Sequence, residues 1–132
     1  MPESHVYDGA IQALFNGEID VGTDTIRMTM LTGGYVYDPT DDFLFDIHTQ
    51  YWLGSGNLSG VSVVGRTFFA DDKVVPNVLV GPVEAFVLYK WTGNSLTSRL
   101  IYFSNDSPDF PFPANGSDLT FDFDNVDGIF SL

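Results

Sequence analysis

There is no cysteine anywhere in the 132 residues. That absence excludes a disulfide scaffold, thiol chemistry and any zinc or iron–sulfur site ligated by cysteine. Basic residues are nearly as scarce. Arg27, Arg66, Arg99, Lys73 and Lys90 stand against eighteen acids, for a formal net charge of −13. Nucleic-acid affinity rests on Lys and Arg neutralising phosphates, so no nucleic acid is expected as a partner, and an anionic membrane would repel this chain. No apolar run approaches the roughly 18 residues of a spanning helix. The opening MPESHVYDGA has no basic segment followed by an apolar one, so no signal peptide and no membrane partner are expected. Glutamate is confined to Glu3, Glu18 and Glu84, while fifteen acids are Asp. Asp favours turns and caps where Glu favours helix surfaces, which places the acidity mainly in loops. The charge leaves cationic or neutral partners open; alternatively it only keeps the protein soluble.

What is present argues for a folded β domain. Apolar residues make up 44% and aromatics 15% of the chain, too many for acidity to mean disorder, and the length suits one domain over residues 1–132. Near the start, Val6, Ala10, Ile11, Leu14 and Phe15 fall at three- and four-residue spacing, the mark of one helix over 7–16. Ser4 or Asp8 would cap it and Gly17 would stop it. The period then shortens to two. Ile26, Met28 and Met30 alternate with Arg27 and Thr29 as a half-buried strand. Residues 43–47 read equally as a short strand or a helical turn, and 53–59, rich in Gly, Ser and Asn, as a loop. Residues 61–70 read as one strand with a bulge at Gly65. The segment 84–91 carries large apolar groups on both faces, which predicts a central strand. Residues 98–103 pair back on it as a hairpin. Leu119, Phe121 and Phe123 point inward from a strand over 119–124, and 129–132 closes the chain as a strand after an Asp127–Gly128 turn. The fold class expected is mostly β: a single antiparallel β-sandwich or jelly-roll-like domain with one short N-terminal helix.

Candidate chemistry is thin. Asp122, Asp124 and Asp127–Gly128 superficially suggest a calcium loop, but the sixth position counted from Asp122 is Asp127 where an EF-hand needs Gly, and the twelfth lies past Leu132. Asp38, Asp41, Asp42 and Asp46 form a second acid cluster, open to a hard cation or to plain solvation. His5 and His48 are the only histidines; they lack HExxH spacing, and no G-x-S-x-G elbow or phosphate-binding loop accompanies them. No enzyme activity, cofactor or metal is expected. Two aromatic loops offer interface anchors instead: Tyr51–Trp52, and Phe110 and Phe112 within SPDFPFPANG. Proline keeps Phe110 and Phe112 out of a regular central strand, and aromatics on a stiff loop lose little entropy on docking. The alternative is that these rings fold back onto their own core.

Leu14-Phe-Asn-Gly-Glu-Ile-Asp20, Asp24-Thr-Ile-Arg-Met-Thr-Met-Leu-Thr32 entering a strand, and the closing Asp127-Gly-Ile-Phe-Ser-Leu132 together resemble small virion structural proteins of tailed bacteriophages. These segments make up 22 of the 132 residues, and SPDFPFPANG is no hallmark of that family. The resemblance implies a structural role, with no catalytic residue among the matched positions. Joined to the charge, it points to a capsid decoration, or cement, protein on the outer capsid surface. Its partners would be the major capsid protein and itself, as a homotrimer at local threefold positions. A tail, neck or head-fibre component is the alternative within the virion. A carbohydrate-binding module using Tyr51, Trp52 and nearby Asp residues is the alternative outside that class.

Overall fold

The computed structural model describes residues 3–123 and 127–132. Among the described residues, ten strands and one α-helix are arranged around a five-stranded antiparallel sheet. Strand β1 (Ser4–Val6) leads into helix α1 (Asp8–Phe15), followed by β2 (Ile26–Leu31) and β3 (Trp52–Asn57). Then come β4 (Ser62–Val64), β5 (Thr67–Phe69), β6 (Lys73–Val75), β7 (Ala85–Lys90), β8 (Leu100–Ser104), β9 (Leu119–Phe121) and β10 (Phe130–Ser131). The large sheet has the order β1-β8-β7-β2-β3; β10-β5-β4 and β6-β9 form two smaller antiparallel sheets. The mostly β, sandwich-like class with one N-terminal helix is therefore what the chain adopts.

Strand register sorts the large sheet into two faces. Met28 lies opposite Leu88, Met30 opposite Phe86, and Leu88 opposite Tyr102, so these share one face. The small sheets cover it: Phe86 meets Phe121 edge-on at 5.3 Å and Tyr102 stacks on Phe130 at 4.9 Å. The other face carries Arg27, Thr29, Val87, Tyr89 and Phe103. There Tyr35 and Tyr37 pack on Phe103, both at 5.6 Å. Strand β7, paired on both edges and buried on both faces, is central as its sequence predicts. Leu119, Phe121 and Phe123 are all buried; Asp124, the end of the predicted strand, lies outside the described residues.

Several expectations need correction. Neither Ser4 nor Asp8 caps α1. Tyr7 occupies the N-cap with no side-chain bond; its buried ring and its N–H bond to the Ile101 carbonyl (2.9 Å) set the helix entry through tertiary contacts instead. Phe15 is 86% exposed, so the buried stripe is carried by Ala10 and Ala13. The stop is as read: Gly17 has φ +76°, with Glu18 N–H donating to the Ala13 carbonyl and Gly17 N–H to that of Leu14. That is a Schellman motif, and it is what the Leu14–Asp20 signature encodes. Strand β2 is not half-buried, because Thr29 on its second face is buried as well. Residues 43–47 contain a 3-10 turn, Leu44–Asp46. The 61–70 strand is a hairpin of two strands, with Gly65 (φ +61°) first in a two-residue loop between Val64 and Thr67. A glycine in that place suits the primed turns that match strand twist.

The clearest miss is β3, read as a loop. Gly54 and Gly56 lie opposite Met30 and Met28. A Cβ on Gly54 would stand 3.3 Å from Met30 Cε, and one on Gly56 would stand 2.7 Å from Lys73 Nζ. The glycines are there because neighbouring side chains occupy the space of their own.

Candidate functional site

Strand β6 ends at Pro76, which has no N–H to continue a ladder. Asn77 follows with φ +51°, a left-handed conformation that Asn tolerates better than most residues. Its N–H donates to Asp118 Oδ1 at 3.0 Å. From there the loop 77–83 runs against the loop 110–118. Val78 N–H donates to the Ser117 carbonyl (3.0 Å), and Gly116 N–H to that of Val78 (2.9 Å). Val83 and Phe112 exchange both backbone bonds, at 2.9 and 2.8 Å.

Val78 and Val83 are buried feet of this structure, while between them Leu79 is 73% and Val80 59% exposed. Pro82, Pro111, Pro113 and Ala114 are exposed too. The two loops touch: a Cβ on Gly81 would stand 3.4 Å from Ala114 Cβ, and one on Gly116 would stand 3.7 Å from Leu79 Cδ2. The result is an outward ridge of Leu79, Val80, prolines and Ala114, braced by main-chain bonds and with several φ angles fixed by proline rings.

The four residues singled out from sequence are half-buried and packed against the core. The Phe110 ring meets Phe121 edge-on at 6.1 Å, and Phe112 supplies the bridge to Val83. Within SPDFPFPANG the exposed positions are the prolines, Ala114, Asp109 and Asn115. Tyr51 lies 6.4 Å from the Tyr35 ring and close over Gly34. Trp52 opens β3, its Nε1–H donating to the Ile47 carbonyl at 3.1 Å. The four do not form one cluster. Phe110 lines a shallow groove with Gly33, Gly34, Tyr35 and Phe103, and Tyr51 flanks it. Trp52 lines a different groove, with Arg27 and Trp91. Leu79 and Val80 were missed; the available signal was an apolar Val78–Val80 run enclosed by Pro76 and Gly81–Pro82, where no regular strand can form.

The acids serve the backbone. Asp38 Oδ1 accepts from the Thr40 hydroxyl (2.6 Å) and N–H (2.9 Å), which hold its pKa below the usual value. Asp46 Oδ2 accepts from Asp42 and Phe43 N–H groups, and Asp42 lies 3.6 Å from Arg99. Asp41 accepts from Tyr35 (2.9 Å), and Tyr35 contacts the Tyr7 hydroxyl (2.8 Å). Burial raises the pKa of Asp41, against the opposing pull of that Tyr35 bond, and raises those of Tyr35 and Tyr7 beyond their ordinary range. Among the described residues no group of three or more His, Asp or Glu could hold a metal ion. His48 Nδ1 accepts from Gln50 N–H, while His5 stacks on Tyr37 at 4.3 Å. Of the suggested calcium loop, Asp122 is exposed and Asp127 lies in a turn; Asp124 lies outside the described residues.

No family model matches the chain, and no curated protein matches it.

Proposed function

We propose that this chain is a structural protein of a tailed-phage virion, a decoration protein that docks on the outer face of the major capsid lattice. The observation that carries the reading is the braced apolar ridge of Leu79, Val80, Pro82, Pro113 and Ala114 on a chain of net charge −13. Exposed apolar surface gathered in one place marks contact with another protein. Because the ridge is already hydrogen-bonded in shape, little ordering remains to oppose docking. The likeness at the chain ends agrees with a structural role. Leu14–Asp20 builds the helix stop, and Asp24 pairs with Lys90 at 3.3 Å beside the entry to β2. Gly128, with φ +76°, lets the last strand pass 2.7 Å from the Phe68 carbonyl, measured from where a Cβ would stand. The charge of −13 favours a surface turned away from packaged DNA. On a lattice, modest contacts repeated by a homotrimer sum to strong retention.

Adding the purified protein to decoration-free heads and imaging them tests this. Regular occupancy of the outer surface is expected. The doubly substituted Leu79→Asp, Val80→Asp should retain its melting temperature, since both side chains are exposed, and lose about tenfold or more in head affinity. Localisation to the tail or neck alone, or undiminished head binding by the double variant, overturns it.

A further inference from the structure

On the face of the large sheet away from the small sheets, the cover provided by Tyr35 and Tyr37 leaves the β2–β3 side open. A groove of about 420 Å³ lies there, within the range of small-ligand sites. Its walls include Arg27, Trp52, Ser55, Tyr89, Trp91 and Asn94. Both tryptophans of the chain are among them. Trp52 is held by its bond to the Ile47 carbonyl. Trp91 has the Arg27 guanidinium over its ring at 4.4 Å and the Tyr89 ring edge-on at 6.1 Å. Tyr89 and Thr29 hydroxyls bond each other at 2.7 Å beneath.

Arg27 is the decisive group. The other charged residues of the sheet's β2–β7 end are paired: Lys90 meets Asp24 at 3.3 Å and the Glu18 carbonyl at 2.8 Å. Arg27 has no ion pair among the described residues, and its Nε is buried with no hydrogen-bond partner. Among the described residues no acid lines this groove. The groove is therefore a locally cationic cleft between aromatic walls, edged by the Ser55 hydroxyl and the Asn94 amide.

We infer that this groove binds an acidic saccharide, a sugar ring bearing a carboxylate. The carboxylate accepts from the Arg27 guanidinium, whose Nε has no partner of its own. The apolar face of the ring lies on an indole, and its hydroxyls bond Ser55 and Asn94. Indole faces suit sugar C–H surfaces, and a planar guanidinium suits a carboxylate. This differs from the arrangement expected from sequence: Tyr51 belongs to the Tyr35 cluster, and no Asp contributes. It is also independent of capsid docking, which uses the ridge.

Because the only two tryptophans line the groove, their fluorescence reports its occupancy directly. The probes are trigalacturonic acid and 3′-sialyllactose, with lactose and maltotriose as neutral controls. A saturable change in emission is expected with at least one acid probe, weakened by added salt. Neutral sugars should bind about ten- to a hundredfold more weakly, and Arg27→Gln should lose a similar factor for the acid probe alone. Equal binding of acid and neutral sugars overturns the proposal, as does the lack of a saturable change with both acid probes. The wild-type comparison decides it even if Arg27→Gln folds poorly, and its failure leaves head binding untouched.

Discussion

The two faces of the five-stranded sheet are held by different physics. The face toward the small sheets is mainly apolar: Met28, Met30, Phe86, Leu88 and Tyr102 share it, with Phe86 against Phe121 and Phe123 and Tyr102 against Phe130. The opposite face mixes rings with polar groups, in the Tyr7–Tyr35–Asp41 chain, the Thr29–Tyr89 pair and Arg27 over Trp91. The first face obtains its stability from apolar area removed from water. The second depends on each buried hydroxyl keeping a partner. One face therefore specifies the fold, while the other has polar groups placed where a ligand or a change of pH can act on them.

The largest effect should come from breaking the apolar face. Phe121 is buried and meets Phe86, Phe110 and Phe123. Phe121→Asp forfeits about 1.5–3 kcal/mol of ring burial and adds an unpaired charge whose desolvation costs several more. Against a typical stability of about 5–15 kcal/mol, no cooperative unfolding transition should remain in urea or on heating. A folded variant with a near-normal midpoint would show that the small sheets contribute little to the core.

A smaller effect is expected on the polar face. Tyr89→Phe keeps the ring against Trp91 and removes only the hydroxyl, which bonds Thr29 and also Ser55. The buried Thr29 hydroxyl then loses its partner, at a cost of about 1–3 kcal/mol, read as a lower urea midpoint at unchanged slope. Should the midpoint not move, the Thr29–Tyr89 bond would be irrelevant to stability and the contrast between the faces would fail there.

The contrast also explains what could be read from sequence. The apolar face has a period. Ile26, Met28 and Met30, and then Leu119, Phe121 and Phe123, alternate because each successive side chain faces the opposite way, and both sets proved buried. Strand β7 was legible for the complementary reason, apolar residues without interruption. Strand β3 was not, because its inward positions are Gly54 and Gly56, shaped by Met30 and Lys73 from other parts of the chain. The polar face was equally hidden. Tyr35, Tyr37 and Asp41 belong to a stretch with no repeating pattern, and only the folded chain brings them to Tyr7 and Phe103. At the ridge, SPDFPFPANG stood out by composition, yet which of its residues point outward depends on its pairing with 77–83. The Arg27–Trp91 contact joins β2 to the end of β7, more than sixty residues along the chain. No local signal announces it.

The finest test of the polar face is its response to pH. Burial, partly opposed by the Tyr35 bond, raises the Asp41 pKa above its unfolded value. The folded state therefore holds that proton more tightly than the unfolded chain does. The resulting stabilisation is complete below the unfolded value near ~3.9 and is lost as pH rises through the folded value. At neutral pH Asp41 bears a charge that its surroundings resist. Asp41→Asn keeps a carbonyl to accept from Tyr35 and carries no charge. It should melt slightly above wild type at pH 7, with the gap closing toward pH 3.5 as wild-type Asp41 takes up its proton. A gap that widens on acidification would reverse the sign. The Tyr35 bond would then favour the carboxylate more than burial opposes it, and the polar face would gain from its charge.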